Sequence, residues 1–317
     1  MHWTHKALIE RTCARLPLGA RLYKLGQRVF GDLRAQPERR LVAQIEMARW
    51  LRQYQLPVAN ARLVEVGTGH IPVVPIGFYL AGAESTVTVD INRRIDWALT
   101  RDTLEWIAAN REKLQKLYAG DVTQSATFGQ RFDVLVASKA QPKRFLEKAG
   151  IEYLAPKDAA KTGLPAGSVH CHYSMTVLEH IPEAALCDIL AEAGRILAPG
   201  GVALHFIDTS DHFQHQDRSI ERINFLRYSD DEWRRLAGNQ FGYCNRMRAS
   251  DLLRLASSVG LIAVRTEIDI DERSKEALRA GFPLAERFAR YERDDLCATE
   301  LRVMWRHGSR EGGQPAV

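Results

Sequence analysis

Leu63-Val64-Glu65-Val66-Gly67-Thr68-Gly69-His70 is the stretch on which the reading of the chain turns. Three apolar residues in a short strand-like run lead into a Gly-x-Gly turn. The next residues, Ile71 to Ala81, read as the start of a helix. A strand, a tight glycine turn and a helix bring backbone N–H groups close to a nucleotide-like ligand. Alone the turn is ambiguous, because short Gly-x-Gly turns also end ordinary strands.

The surroundings narrow the choice. A chain of 317 residues, 45% hydrophobic and 26% charged, can bury one large α/β domain with appended elements. No apolar run approaches the ~18–20 residues that cross a bilayer, and the first residues lack the apolar core of a secretory signal, so a cytoplasmic location is the expectation. Five scattered cysteines form no Cys-x-x-Cys pair and read as buried free thiols rather than a zinc knuckle or disulfide framework. The charge is uneven: residues 1–60 carry 11 Lys and Arg against 4 Asp and Glu, a net +7 in a chain of net +5. Such a leader can touch nucleic acid or an anionic membrane surface. Its arginines are spaced rather than massed, which favours a solvated helix face.

Taken in order, residues 5–16 and 38–55 have helical periodicity, and residues 1–60 are expected to form a helical cap. A domain over 61–306 follows. Ser85 to Asp90 is a β-branched strand ending in a carboxylate 23 residues beyond Gly67. Residues 94–118 read as one long helix within a helical insertion at about 92–150. Phe132 to Ala137 has strand propensity, but helix is the better assignment, because Gly150 to Pro156 supplies a better third strand. Val169 to Ser174 is a fourth strand, a helix runs from near Val177 to Leu197, and Val202 to Asp208 is a fifth strand. Alternating strands and helices predict a doubly wound, Rossmann-like α/β fold with a seven-stranded, mostly parallel sheet and helices on both faces. An insertion at about 208–245 is polar and interleaved with aromatics. Ala249 to Val259 is helical, Leu261 to Asp269 a strand, about 283–292 a helix, and Leu296 to Trp305 a final strand. The tail 307–317 is expected to be disordered.

Several signals stand in one fixed order: Val64 to Gly69, Asp90, Asp158-Ala159, the segment SMTVLEHI from Ser174 to Ile181, and RILAPGG from Arg195 to Gly201. Over about residues 60–306 this resembles the class I S-adenosylmethionine-dependent methyltransferases of small-molecule type. The resemblance implies S-adenosyl-L-methionine as cofactor. It places Glu65, Gly67, Thr68 and Gly69 along the methionine and ribose, Asp90 on the ribose hydroxyls and Ile91 against the adenine. Asp158 and Ala159 would face the adenine edge, with Ser174 under the methionine end. Where the family often carries a third glycine, His70 and Pro72 stand here.

A sulfonium methyl is already activated, so the protein chiefly aligns the acceptor and excludes water. An oxygen or nitrogen acceptor also calls for a base. Within the insertion Asp208, Asp211, His212, His215 and Asp217 cluster, and His212 and His215 are the candidate bases. No metal site is assigned. His180 either faces the pocket or caps its helix, and His170, His172 and His205 read as structural. The expected activity is methyl transfer to a small molecule, with a sugar or polysaccharide precursor suggested by the polar, aromatic-rich insertion. Two alternatives stand beside it: an RNA or protein methyltransferase, and a non-catalytic S-adenosylmethionine-binding protein. Ser174-Met175-Thr176-Val177 replaces the Asn-Pro-Pro-Tyr-type tetrapeptide of base methylation, which argues against a nucleic-acid partner. Peripheral membrane contact through the basic N-terminus stays open, as does the oligomeric state.

Overall fold

The inner strands are buried at nearly every position, and such strands are stable only when covered on both sides. The computed structural model describes residues 1–29, 35–120 and 122–308. The strands are β1 (Arg62–Val66), β2 (Ser85–Val89), β3 (Ile151–Leu154), β4 (Val169–Met175), β5 (Leu197–Asp208), β6 (Leu261–Ile270) and β7 (Ala298–His307). They form one sheet in the order β3-β2-β1-β4-β5-β7-β6. The first five are parallel, with Leu63 opposite Thr86 on one side and Cys171 on the other. β7 runs antiparallel to both β5 and β6. The mostly parallel seven-stranded α/β sheet is thus as the sequence predicts. β6 lies at an edge, and Arg265, Glu267 and Asp269 along it discourage further strand pairing.

The helices are α1 (Trp3–Arg15), α2 (Gly19–Val29), α3 (Pro37–Gln53), α4 (Val73–Ala81), α5 (Trp97–Ala109), α6 (Arg111–Tyr118), α7 (Ser125–Ser138) and α8 (Pro142–Lys148). Then follow α9 (Glu183–Ile196), α10 (Asp230–Ala237), α11 (Ala249–Ser258), α12 (Glu272–Arg279) and α13 (Arg293–Leu296). Every residue of α4 is buried. Gly77 lets α3 come close, since a Cβ there would stand 2.5 Å from Gln44 Oε1. Leu41, Ile45, Met47, Trp50 and Leu51 of α3 belong to the main core, so that part of the leader is integral to the sheet domain. Phe132 to Ala137 is helical, within α7, as assigned.

Four expectations change. The helix over 94–118 divides at Asn110, which ends α5 and starts α6. The helix placed near Val177 begins only at Glu183. Residues Leu178–His180 form a short 3-10 turn before Pro182, and Leu197 already belongs to β5. No α-helix spans 283–292, where Pro283 interrupts the chain and Glu286–Phe288 makes a 3-10 turn. The helical residues lie earlier, in α12, whose start Asp271 caps by accepting from the Ser274 N–H at 2.9 Å. The tail lies outside the described residues from 309 onward. His307 and Gly308 are ordered: the Gly308 N–H donates to the Gly260 carbonyl at 2.8 Å.

The insertion after β5 builds its own core. Phe213, Ile223, Phe225, Leu226 and Trp233 pack with Trp3 of α1 and with Phe288 and Leu296. Trp3 also donates its backbone N–H to Asp217 at 2.8 Å, pinning α1 to this layer. No helix among the described residues is long and apolar enough to cross a membrane.

Candidate functional site

Parallel strands end their carboxyl tips on one edge of the sheet, and the loops leaving β1, β2 and β4 meet there. Gly67, at φ +78°, turns the chain out of β1, and its N–H donates to the Val89 carbonyl at 2.8 Å. The Gly69 N–H donates to Asp90 Oδ2 at 3.0 Å. Glycine turn and strand-end acid are therefore in direct contact across the tips of β1 and β2. Burial pushes the Asp90 carboxyl up to about 6, against the Gly69 hydrogen bond that favours its charge. Asp158 begins a 3-10 turn by accepting from the Ala160 N–H at 2.9 Å, and so sets Ala159 against the same space.

These groups line a cavity of 520 Å³. Its walls include Gly67, Thr68, Gly69, Asp90, Ile91, Asp158 and Ala159. Seven of the nine residues singled out for cofactor binding thus meet in one cleft. The other two do not reach it. Glu65 is buried beneath the turn and accepts from the Thr88 hydroxyl at 2.6 Å, while Thr88 in turn pairs with Thr68. Burial pushes the Glu65 carboxyl up to about 7, against the Thr88 hydrogen bond. Ser174 is wholly buried and shares a 2.7 Å hydrogen bond with His205 Nδ1, while His205 Nε2 stands 3.3 Å from His172 Nδ1. The side-chain alternation of β4 turns Ser174 away from the cleft, and Met175 and Thr176 form the wall in its place. Burial holds both histidines well below their ordinary pKa, and they are packing groups, as read.

Sequence reasoning missed Arg40, Lys157, Met175, Thr176, Phe241 and Tyr243 as cleft residues. Arg40 comes from α3 and the aromatics from the insertion, so no local pattern places them there. Thr176 carries a signal only in its backbone, a positive φ of 51° at the end of β4.

A second cavity of 260 Å³ adjoins the first, and His180 and Phe241 line both. Lys6, Glu10, Tyr23 and Gln27 from α1 and α2 face His212, His215 and Gln216 across it. His212 and His215 are stacked, ring centroids 5.1 Å apart, and both turn Nε2 toward Asp208 Oδ2, at 3.6 and 3.3 Å. Burial raises the Asp208 carboxyl, but hydrogen bonds from His215 and Ser210 and the nearby His212 outweigh it and hold Asp208 well below the usual carboxylate range. Burial drives the His212 imidazole down to about 4 despite Asp208, so it is neutral at pH 7. The two remaining acids of the cluster are structural: Asp211 accepts from Asn224 and the Phe213 N–H, and Asp217 from Trp3 and Ser219.

The turn after β4 is held by the end of the insertion. Asn245 donates to the Leu178 and Ile181 carbonyls, its own N–H donates to the Glu179 carbonyl, and His180 Nδ1 lies 2.9 Å from the Tyr243 carbonyl. Phe213, Phe225 and Trp233 belong to the insertion's core and also line the second cavity, together with Phe241 and Tyr23, whose ring centroids are 4.4 Å apart.

No protein-family model matches the chain, and no curated protein does. Solved structures of similar fold exist. A geranyl diphosphate C-methyltransferase from Streptomyces coelicolor is 12% identical, with 83% of this chain and 78% of that one covered at a TM-score of 0.45. A magnesium protoporphyrin IX methyltransferase from Synechocystis is 10% identical, with 91% and 95% covered at a TM-score of 0.44. The cyclase SpnF is 12% identical, with 83% and 80% covered at a TM-score of 0.43. The sheet is a doubly wound, mostly parallel α/β arrangement, with β7 inserted antiparallel between β5 and β6.

Proposed function

We propose that the protein is an S-adenosylmethionine-dependent methyltransferase acting on an oxygen or nitrogen of a small molecule. The observation that carries this is the Gly69–Asp90 contact at the rim of the 520 Å³ cleft. An acid beside a tight glycine turn can accept from vicinal ribose hydroxyls while the chain passes close to the ligand. The cleft also fits the rest of such a ligand: Ile91 and Ala159 offer apolar surface, Asp158 a polar edge, and the site lacks the longer glycine fingerprint that a pyrophosphate demands. When bound, S-adenosylmethionine supplies an activated methyl group on a sulfonium.

The second cavity is the acceptor's place in this reading. His180 and Phe241 stand at the junction of the two spaces, and α1 and α2 wall one side of the second. With Nε2–H donated to Asp208, His215 keeps its lone pair on Nδ1 and can take a proton from an acceptor hydroxyl. The oxygen's electron pair then forms the bond to the methyl carbon, and the pair of the broken carbon–sulfur bond stays on sulfur. His212, neutral beside it, is the alternative base. Polar walls of Lys6, Gln27, Gln216 and three histidines favour a hydroxylated acceptor, a sugar or sugar-bearing precursor among them. A cavity walled by two helices supports a small molecule over RNA or a protein chain.

Calorimetry with S-adenosylmethionine and S-adenosylhomocysteine tests the cofactor, and release of S-adenosylhomocysteine across a panel of sugar and amine acceptors tests the reaction. Binding without turnover on any acceptor would favour the non-catalytic alternative, and no binding would end the proposal. A membrane contact through the leader has one support: Leu18, Leu22 and Leu25 are exposed beside Arg21 and Lys24. Co-sedimentation with anionic but not neutral vesicles would establish it.

A further inference from the structure

Glu179 is 2% exposed, and neither carboxylate oxygen has a hydrogen bond of good geometry among the described residues, with only the backbone N–H groups of Glu179 itself and Asp208 directed toward it. A buried carboxyl in that condition is costly unless it stays protonated or meets a cation. Two imidazoles stand next to it. One donor atom from each of Glu179, His180 and His212 lies within 4.8 Å of the others. The rings of His180 and His212 are 4.8 Å apart, edge to face.

Their tautomers favour ligation. His180 Nδ1 faces the Tyr243 carbonyl at 2.9 Å, so that nitrogen carries the proton and Nε2 is left with its lone pair. A ring N–H fixed on a backbone carbonyl is the usual support of a metal-bound histidine. His212 Nε2 is buried with no hydrogen-bond partner among the described residues, its 3.6 Å approach to Asp208 being too long for one. Three donors of this kind, two imidazoles and a carboxylate, are a set that first-row divalent ions accept. Ligation at the ~2 Å that such an ion requires draws the three donor atoms closer together than they stand here.

We propose that Glu179, His180 and His212 form a binding site for a divalent transition-metal ion at the seam between the two cavities. Three protein ligands leave a coordination position open, and His180 and His212 both line the second cavity. In the methyltransferase reading, on which this role rests, the open position takes an oxygen of the acceptor and sets it before the cofactor cleft. His212 is then a ligand, and His215, held by Asp208, is left as the base.

The test uses untagged full-length protein, stripped with a chelator and titrated with Zn²⁺ and with Co²⁺. Metal content and the visible d–d absorption of bound Co²⁺ are read. One ion per chain is expected, with loss of binding in His212→Ala and in the near-isosteric Glu179→Gln, and retention in His170→Ala, which alters a strand histidine away from the cluster. Thermal melting of each variant separates lost ligation from lost fold, and the Glu179→Gln arm stands if His212→Ala fails to fold. Absence of a bound ion, or equal binding by both ligand variants, overturns the site. Calorimetric binding of S-adenosylhomocysteine to the metal-free protein keeps the two proposals apart: a protein that binds the cofactor but takes up no metal sinks only the metal site, and one that takes up metal but binds no cofactor sinks only the methyltransferase reading.

Discussion

The N–H of Gly69 donates to Asp90 Oδ2 at 3.0 Å, joining the turn after β1 to the tip of β2. Replacing Asp90 with Ala removes an acceptor from the cleft and a brace from the turn. Affinity for S-adenosylhomocysteine is expected to fall by roughly 1–3 kcal/mol, the range for hydrogen bonds to a charged group. Calorimetry measures it directly, and unchanged affinity would show that Asp90 holds no ligand.

The same carboxyl sets a pH dependence. Burial raises it to about 6, so it is ionised at pH 8 and protonated at pH 5. A protonated carboxyl loses acceptor capacity toward ribose hydroxyls. Cofactor affinity should therefore weaken as pH falls through about 6, and Asp90→Asn should flatten the profile. A wild-type affinity that is constant from pH 8 to pH 5 would contradict the assignment.

Gly67 offers a test of the turn itself. At φ +78° an added Cβ would stand 2.6 Å from Val177 Cγ1 and 2.7 Å from Cγ2. Gly67→Ala should cost about 1–3 kcal/mol in stability, part backbone strain and part overpacking against a residue that lines the cleft. Adding Val177→Ala should recover the packing part and leave the strain. Denaturant melts of the single and double variants separate the two, and full recovery in the double variant would show that strain is negligible.

The elements that local chemistry specifies were legible in the sequence. β1, β2 and β5 follow from β-branched and apolar runs ended by Gly67, Asp90 and Asp208, and seven of the nine residues proposed for the cofactor meet in the cleft beyond the strand tips. Ser174 was misplaced because a one-residue shift along a strand reverses the face: Met175, its neighbour, is the residue in the cleft. The aromatics of 208–245 serve a core and a cavity wall at once, since Phe213, Phe225 and Trp233 pack together and also line the second cavity, a double role that composition cannot resolve. Their partners, Trp3 and Phe288, lie far away in the chain. The grouping of Glu179 with His212 is of the same kind, a contact between the turn after β4 and the insertion after β5 that no spacing announces.

Glu65 predicts a stability effect with a definite sign. Its carboxyl stands at about 7 in the folded chain, above the ordinary value near 4.5, because burial penalises the charge. The unfolded chain therefore releases this proton first as pH rises, and stability falls between about pH 4.5 and 7. Glu65→Gln keeps an acceptor for Thr88 without the charge. It should melt higher than wild type at pH 8, by of order 2 kcal/mol, with the gap closing by pH 5. A gap independent of pH would show that Glu65 is neutral throughout or paired in the folded state.

Arg248 tests how the acceptor side is held. Its guanidinium is fully buried, donating to the Thr209 carbonyl at 2.8 Å and the Ala298 carbonyl at 3.3 Å, with Phe225 beneath it. Thr209 follows β5 and Ala298 opens β7, so this one side chain ties the root of the insertion to the sheet and to the insertion's core. Arg248→Met leaves the carbonyls without their donor, and a loss of roughly 2–4 kcal/mol is expected. Arg248→Lys should rescue little, because an ammonium cannot reach both carbonyls as the planar fork does. Hydrogen exchange supplies the sharper readout. Amides of 209–245 should lose protection in Arg248→Met while those of β1 and α4 keep theirs, and cofactor affinity should change little. Uniform loss across the sheet would instead make Arg248 a general core residue, and the acceptor wall would have to be held in place by α1 and Trp3.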